Sequence, residues 1–80
     1  MNPRVTQVVP HDDFTLALTF ADAQGRVFDV KPYLGKGIFT ELQDPALFKS
    51  VRVSMGTVCW PGGQDFCPDT LYEEGLPVAS

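Results

Sequence analysis

In this 80-residue chain the residues best suited to nucleophilic or metal chemistry are Cys59, Cys67 and the one histidine, His11. A cysteine nucleophile needs a base beside it. A grouping of Cys67, His11 and Asp12 can be written down, but no spacing supports it, and a turn histidine next to Asp12 and Asp13 reads as solvated. Structural zinc wants four Cys or His ligands, so no ligand set closes. Asp65, Asp69, Glu73 and Glu74 offer oxygens to calcium, yet the alternating acidic loop of an EF-hand is missing. A solvated acidic end is the simpler reading. Gly35-Lys36-Gly37 lacks the strand-loop-helix context of a phosphate cradle and reads as a flexible turn. No catalytic residue, metal or cofactor is therefore expected.

The densest chemistry lies between Trp60 and Asp69, where an aromatic, two glycines, two aspartates and Cys67 come together. As a binding loop this segment would use Trp60 for contact area, Gly63 for close backbone approach, Asp65 and Asp69 as acceptors, and Tyr72 just beyond. The structural reading outweighs it: Trp60 in the core, Gly62 and Gly63 as the turn, and Asp65 and Asp69 bonded to loop and helix N–H groups. On that reading the segment from Trp60 to Tyr72 is first a clamp that folds the chain's end over a sheet.

The elements that must position this loop follow from periodicity. Val5 to Val9 is β-branched and stopped by Pro10, which reads as a short strand. Phe14, Leu16, Leu18 and Phe20 alternate with Thr15, Ala17 and Thr19, the clearest strand in the chain. Asp22 to Gly25 supplies a turn in which Gly25 is expected to take the positive φ, and Arg26 to Val30 returns as a third strand. Ile38 to Leu42 suits either a strand or a helical turn. Asp44-Pro45 signals a capped helix from Pro45 to Lys49. Val51, Val53 and Met55 with Val58 to Trp60 form a second hairpin, and Asp69 is expected to cap a final turn from Thr70 to Glu74. The result is an α+β fold: a small antiparallel sheet, built as a three-strand meander plus a second hairpin, with one or two short helices.

A hydrophobic content of 44% in 80 residues fits one domain, with an ordered core over about residues 4–75 and a frayed tail over residues 76–80. Ten acidic against six basic residues give a net charge of -4, and the cations Arg4, Arg26, Lys31, Lys36, Lys49 and Arg52 are scattered, which disfavours direct nucleic-acid binding. No apolar run approaches a membrane span, and Met1-Asn2-Pro3 opens no signal peptide. A cytoplasmic location with free, buried cysteines is expected.

From Trp60-Pro61-Gly62-Gly63-Gln64-Asp65-Phe66-Cys67-Pro68-Asp69-Thr70-Leu71-Tyr72 the chain resembles the small bacterial domain-of-unknown-function family 2442. Phe28-Asp29-Val30, the Leu42-Gln43-Asp44-Pro45 break and the Val51 to Val53 strand fall where that family has them. The resemblance implies a small β-rich domain with one or two short helices, and no assigned activity. It also implies regulatory or toxin–antitoxin-like roles, since some relatives carry a helix-turn-helix domain and others are encoded beside a second small protein. With Ser80 as its last residue, no DNA-binding extension is expected here. The expected function is a non-enzymatic protein-interaction or regulatory module that docks a partner or its own copy, helped by at least one exposed sheet edge. The alternative is a small ligand-binding protein or enzyme that uses the Trp60 to Asp69 loop.

Overall fold

The computed structural model describes residues 2–78. Strands β1 (Val5–Pro10), β2 (Thr15–Phe20) and β3 (Gly25–Asp29) form the expected antiparallel meander. Two 3₁₀ segments follow, Lys31–Tyr33 and Gly37–Gln43, then helix α1 (Pro45–Phe48), a hairpin of β4 (Arg52–Ser54) and β5 (Thr57–Cys59), helix α2 (Pro68–Glu74) and strand β6 (Leu76–Pro77). The main sheet has the order β1-β2-β3-β6, and β4 and β5 make a separate two-stranded sheet. The fold class is α+β, as the sequence predicts.

Period-two alternation decides which way the sheet faces. Leu16, Leu18 and Phe20 of β2 and Phe28 of β3 are buried, so one face of the sheet carries the core. Leu42, Phe48, Val58, Trp60, Phe66 and Leu71 come down onto that face from everything that follows β3. Phe66 links the rings, meeting Phe28 edge-on at 4.9 Å and Phe39 in a stack at 4.9 Å. The opposite face of the sheet has nothing packed on it among the described residues.

Several local expectations are corrected. The β2–β3 turn takes its positive φ at Ala23 (69°), two residues before Gly25, because the Asp22 carboxylate accepts from Gln24 N–H (3.1 Å) and sets the bend there. Gly25 instead opens β3. Phe14 also has a positive φ (63°) and precedes β2, held by its edge contact with Phe48 at 5.1 Å. The ambiguous segment is the 3₁₀ helix Gly37–Gln43, which buries Leu42. Asp44 caps α1 as expected, accepting from Ala46 N–H at 3.0 Å.

Asp69 caps nothing. Helix α2 begins at Pro68 with Cys67 as its N-cap residue and without a side-chain cap bond, so Asp69 lies inside the first turn. Three residues of the expected frayed tail are bonded to the sheet. Leu76 and Pro77 pair with Val27 and Arg26, and Val78 N–H bonds Gly25 carbonyl at 3.0 Å. Ala79 and Ser80 lie outside the described residues.

Candidate functional site

The Trp60 to Asp69 segment continues the β4–β5 hairpin instead of leaving it. Trp60 N–H donates to Gln64 carbonyl (2.9 Å), Gly63 N–H donates back to Trp60 carbonyl (3.0 Å), and Cys59 pairs with Asp65. Thr57 hydroxyl closes the next rung by donating to Phe66 carbonyl. Gly63 takes φ 94° at the turn, a conformation that a side chain would strain. Trp60 is buried, and its indole N–H donates to Phe48 carbonyl at 2.8 Å, so the ring is satisfied and unavailable to a partner in the folded chain.

Gln64 is the residue the sequence reading missed. It is 0% exposed, and its Nε2 donates to Ile38 carbonyl (2.8 Å) and Glu41 Oε1 (3.1 Å), tying the loop to the second 3₁₀ segment. Its Oε1 has no donor among the described residues. Gly62 leaves room for it: a Cβ there would stand 2.7 Å from Gln64 Oε1 and 2.9 Å from Glu41 Oε1. The paired glycines thus have two separate jobs, one conformational and one steric.

The two aspartates depart from expectation. Asp65 and Asp69 are exposed, and among the described residues neither carboxylate accepts a hydrogen bond. Cys67 between them is exposed too, against the expectation of burial, while Cys59 is half-buried. Tyr72 is held on its helix by three contacts. Its ring meets Phe20 edge-on at 4.9 Å, Arg26 stacks over it at 4.0 Å, and its hydroxyl donates to Asp22 Oδ2 at 3.0 Å. The segment therefore buries Trp60 and pins Tyr72 while leaving Gly63, Asp65 and Asp69 on the surface.

His11 and Asp12 sit at the β1–β2 turn, where Lys49 lies 2.5 Å from Asp12 and holds its carboxyl below the usual carboxylate range. The Thr15 hydroxyl does the same for Asp13 (2.6 Å). No hydrogen bond joins either turn residue to Cys67 among the described residues. In the same set no group of three His, Cys, Asp or Glu side chains is disposed to hold a metal ion, and no cavity of ligand size opens. No helix is long and apolar enough to cross a membrane. Tyr33 donates to Glu74 Oε1 at 2.7 Å, which with partial burial pushes its phenol up.

A second surface is written in the strand register. Val9 lies opposite Ala17, Ala17 opposite Val27, and Val27 opposite Leu76, so one uninterrupted apolar row crosses all four strands on the face away from the core. Its ends stand proud, with Val9 45% and Leu76 71% exposed. The next row is Gln7, Thr19 and Gly25, with Val78 (54% exposed) lying 3.6 Å from where a Gly25 Cβ would be. Neither row holds a charge.

Proline interrupts both edges of this sheet. His11 N–H points inward to Thr15 carbonyl (2.9 Å), and backbone N–H directions alternate, so the nitrogen of Pro10 faces outward. Val78 N–H likewise points to Gly25, which turns the nitrogen of Pro77 outward. A proline thus withholds one ladder donor at each edge, while Val8, two residues before Pro10, turns its N–H outward as well. At the other end of β1 the hairpin covers the strand through Val5 N–H to Gly56 carbonyl, 2.8 Å.

No curated protein and no solved structure matches this chain. Residues 5–77 match the model of a family described as a protein of unknown function, DUF2442, and by that match, which spans the sheet, the clamped loop and α2, the chain belongs to that family.

Proposed function

We propose that this protein is a non-enzymatic protein-interaction module that docks its partner on the outer face of its sheet. One observation carries the reading: the apolar row Val9–Ala17–Val27–Leu76, which the fold leaves uncovered. An antiparallel sheet with one face in water normally alternates apolar and polar residues between its faces. Here apolar side chains run edge to edge on the outer one, as at sites that exclude water against another surface. The prolines at both edges argue against strand addition and for face docking.

The regulatory role that the family resemblance suggests, as one half of a toxin–antitoxin-like pair, is compatible with such a surface. Gly63, Asp65 and Asp69 form a secondary contact region in this reading, because they are exposed and lack internal partners. Direct nucleic-acid contact is disfavoured, since Lys31 and Lys49 are spent on Asp29 and Asp12 and Arg26 lies over Tyr72. The rival reading, a ligand site at the Trp60 to Asp69 loop, has no cavity to use among the described residues.

Capture from an extract of the source cells tests the reading, using tagged protein and its Ala17→Lys variant side by side. A stoichiometric protein recovered with the first and lost with the second supports face docking. A protein retained by Ala17→Lys but lost with an Asp65→Ala, Asp69→Ala double variant moves the site to the loop and sinks the reading.

A further inference from the structure

The uncovered face also constrains what covers it. Charge is the first constraint. The chain carries a net charge of -4, and its acids cluster in the turns (Asp12, Asp13, Asp22) and on α2 (Asp69, Glu73, Glu74). A partner selected by charge would be basic and would be drawn to those regions. A second copy brings the same negative charges and meets least repulsion where there are none, which is the face carrying the two uncharged rows. The nearest rim charge, Asp29, is matched by Lys31 at 3.1 Å.

Symmetry is the second constraint. A twofold axis lying along or across the strands maps a straight cross-strand row onto itself, so the apolar line of one copy falls on that of the other. Sheets stack face to face about 10 Å apart with their strands within about 30° of alignment. Small Ala17 at the centre and larger Val9 and Leu76 at the ends leave room for such stacking. Proline at each edge weakens strand addition, which leaves the face as the favoured route by which two sheets join.

Resting on the docking reading above, we infer that the occupant of the outer face is a second copy of this chain, packed sheet to sheet as a weak, concentration-dependent dimer. Area sets the strength. Strands of six, six, five and two residues, about 3.3 Å per residue and about 4.8 Å apart, present about 300 Å² per copy, so the pair buries about 600 Å². That is well below the roughly 1,200 Å² of stable interfaces, so the association is weak.

Sedimentation equilibrium of the purified chain, reduced so that exposed Cys67 forms no cross-link, tests this directly. The average mass should be that of the monomer at about 10 μM and should rise toward twice that value near 1 mM, as expected for a small transient interface. Ala17→Lys should abolish the rise, and it does so while lowering net negative charge, so added repulsion is not the cause. Ile38→Lys removes an apolar residue 57% exposed on the core side of the sheet and should leave the rise unchanged. Val9→Lys provides a second face variant should Ala17→Lys lower the urea midpoint. A monomer at 1 mM, or association that survives both face variants, overturns the inference. If the chain stays monomeric while extract capture still yields a protein lost with Ala17→Lys, the copy is the wrong occupant and face docking stands.

Discussion

The β4–β5 hairpin turns through Met55 and Gly56 with φ of 53° and 81°, so both turn residues sit in the left-handed region. This is the geometry of a type I′ turn, whose favoured sequence is Asn-Gly. Methionine is unsuited to it, because a Cβ in the left-handed region costs about 1–2 kcal/mol. Nor does its side chain recover the cost. Met55 is 89% exposed, and a tenth of the roughly 1.5–3 kcal/mol for a fully buried side chain is only about 0.2–0.3 kcal/mol. The contacts that anchor the turn run through its backbone: Arg4 Nη1 donates to Met55 carbonyl at 3.0 Å, and Val5 N–H donates to Gly56 carbonyl. Met55→Asn should keep both and gain about 0.5–1 kcal/mol, since Asn tolerates this region at lower cost. For a domain of this size the gain corresponds to a Tm about 2–8 °C higher. Met55→Ala keeps the Cβ penalty without the short polar side chain that lets Asn bond locally in this region, and should gain nothing. Thermal melts and urea titrations of the three proteins decide it. Equal gains from Asn and Ala would mean that exposure, not φ, set the effect, and a loss with Asn would mean that the methionine side chain holds the hairpin.

The remaining expectations concern the clamp and the caps. Trp60→Ala, which removes a buried ring and leaves Phe48 carbonyl without its indole donor, should cost about 3–5 kcal/mol in urea unfolding; a cost under about 1 kcal/mol would refute the core role. Asp44→Ala should cost about 0.5–2 kcal/mol through the lost cap, whereas Asp69→Ala should be neutral within about 0.5 kcal/mol; equal losses in the two titrations would contradict the helix starts described here. Tyr33 donates to Glu74, and its folded pKa is raised above the ordinary phenol value. Its contribution is therefore complete below pH 10 and lost as pH rises, because the unfolded phenol ionises first. Urea midpoints at pH 9 and 11 should fall further for the parent protein than for Tyr33→Phe, and identical falls would show that the bond does not couple to folding.

What could be read from sequence was what local chemistry decides. The alternation of Leu16, Leu18 and Phe20 announced β2, and Asp44-Pro45 announced α1, since a cap and a proline at the first helical position act within three residues. The same proline rule at Cys67-Pro68 marks the start of α2, and it outweighs the aspartate-cap preference that points to Asp69. Glycine was likewise given a positive φ at Gly25 that the structure puts on Ala23, because an Asx turn at Asp22 sets the bend first. Gln64 was out of reach for another reason. A glutamine among turn residues reads as solvated, and its burial depends on Ile38 and Glu41 returning from more than twenty positions away.

Strand β6 shows why the loop drew attention that belongs to the sheet. Two residues, Leu76 and Pro77, carry no periodic signal, and proline argues against a strand wherever its N–H is needed. At an edge it is not needed. Once Val78 bonds Gly25, the nitrogen of Pro77 faces solvent, and a residue of the expected frayed tail becomes the edge's terminator. Pro10 does the same for β1, where it read as a stop signal and proves to be the last paired residue of the strand. The prolines and the buried Trp60 therefore act in one direction. Each proline removes an outward donor from a sheet edge, and the indole, core as the sequence predicts, is consumed by Phe48 carbonyl. The outer face remains, where Leu76 completes a row that Val9, Ala17 and Val27 begin, and no segment shorter than the whole meander could have revealed it.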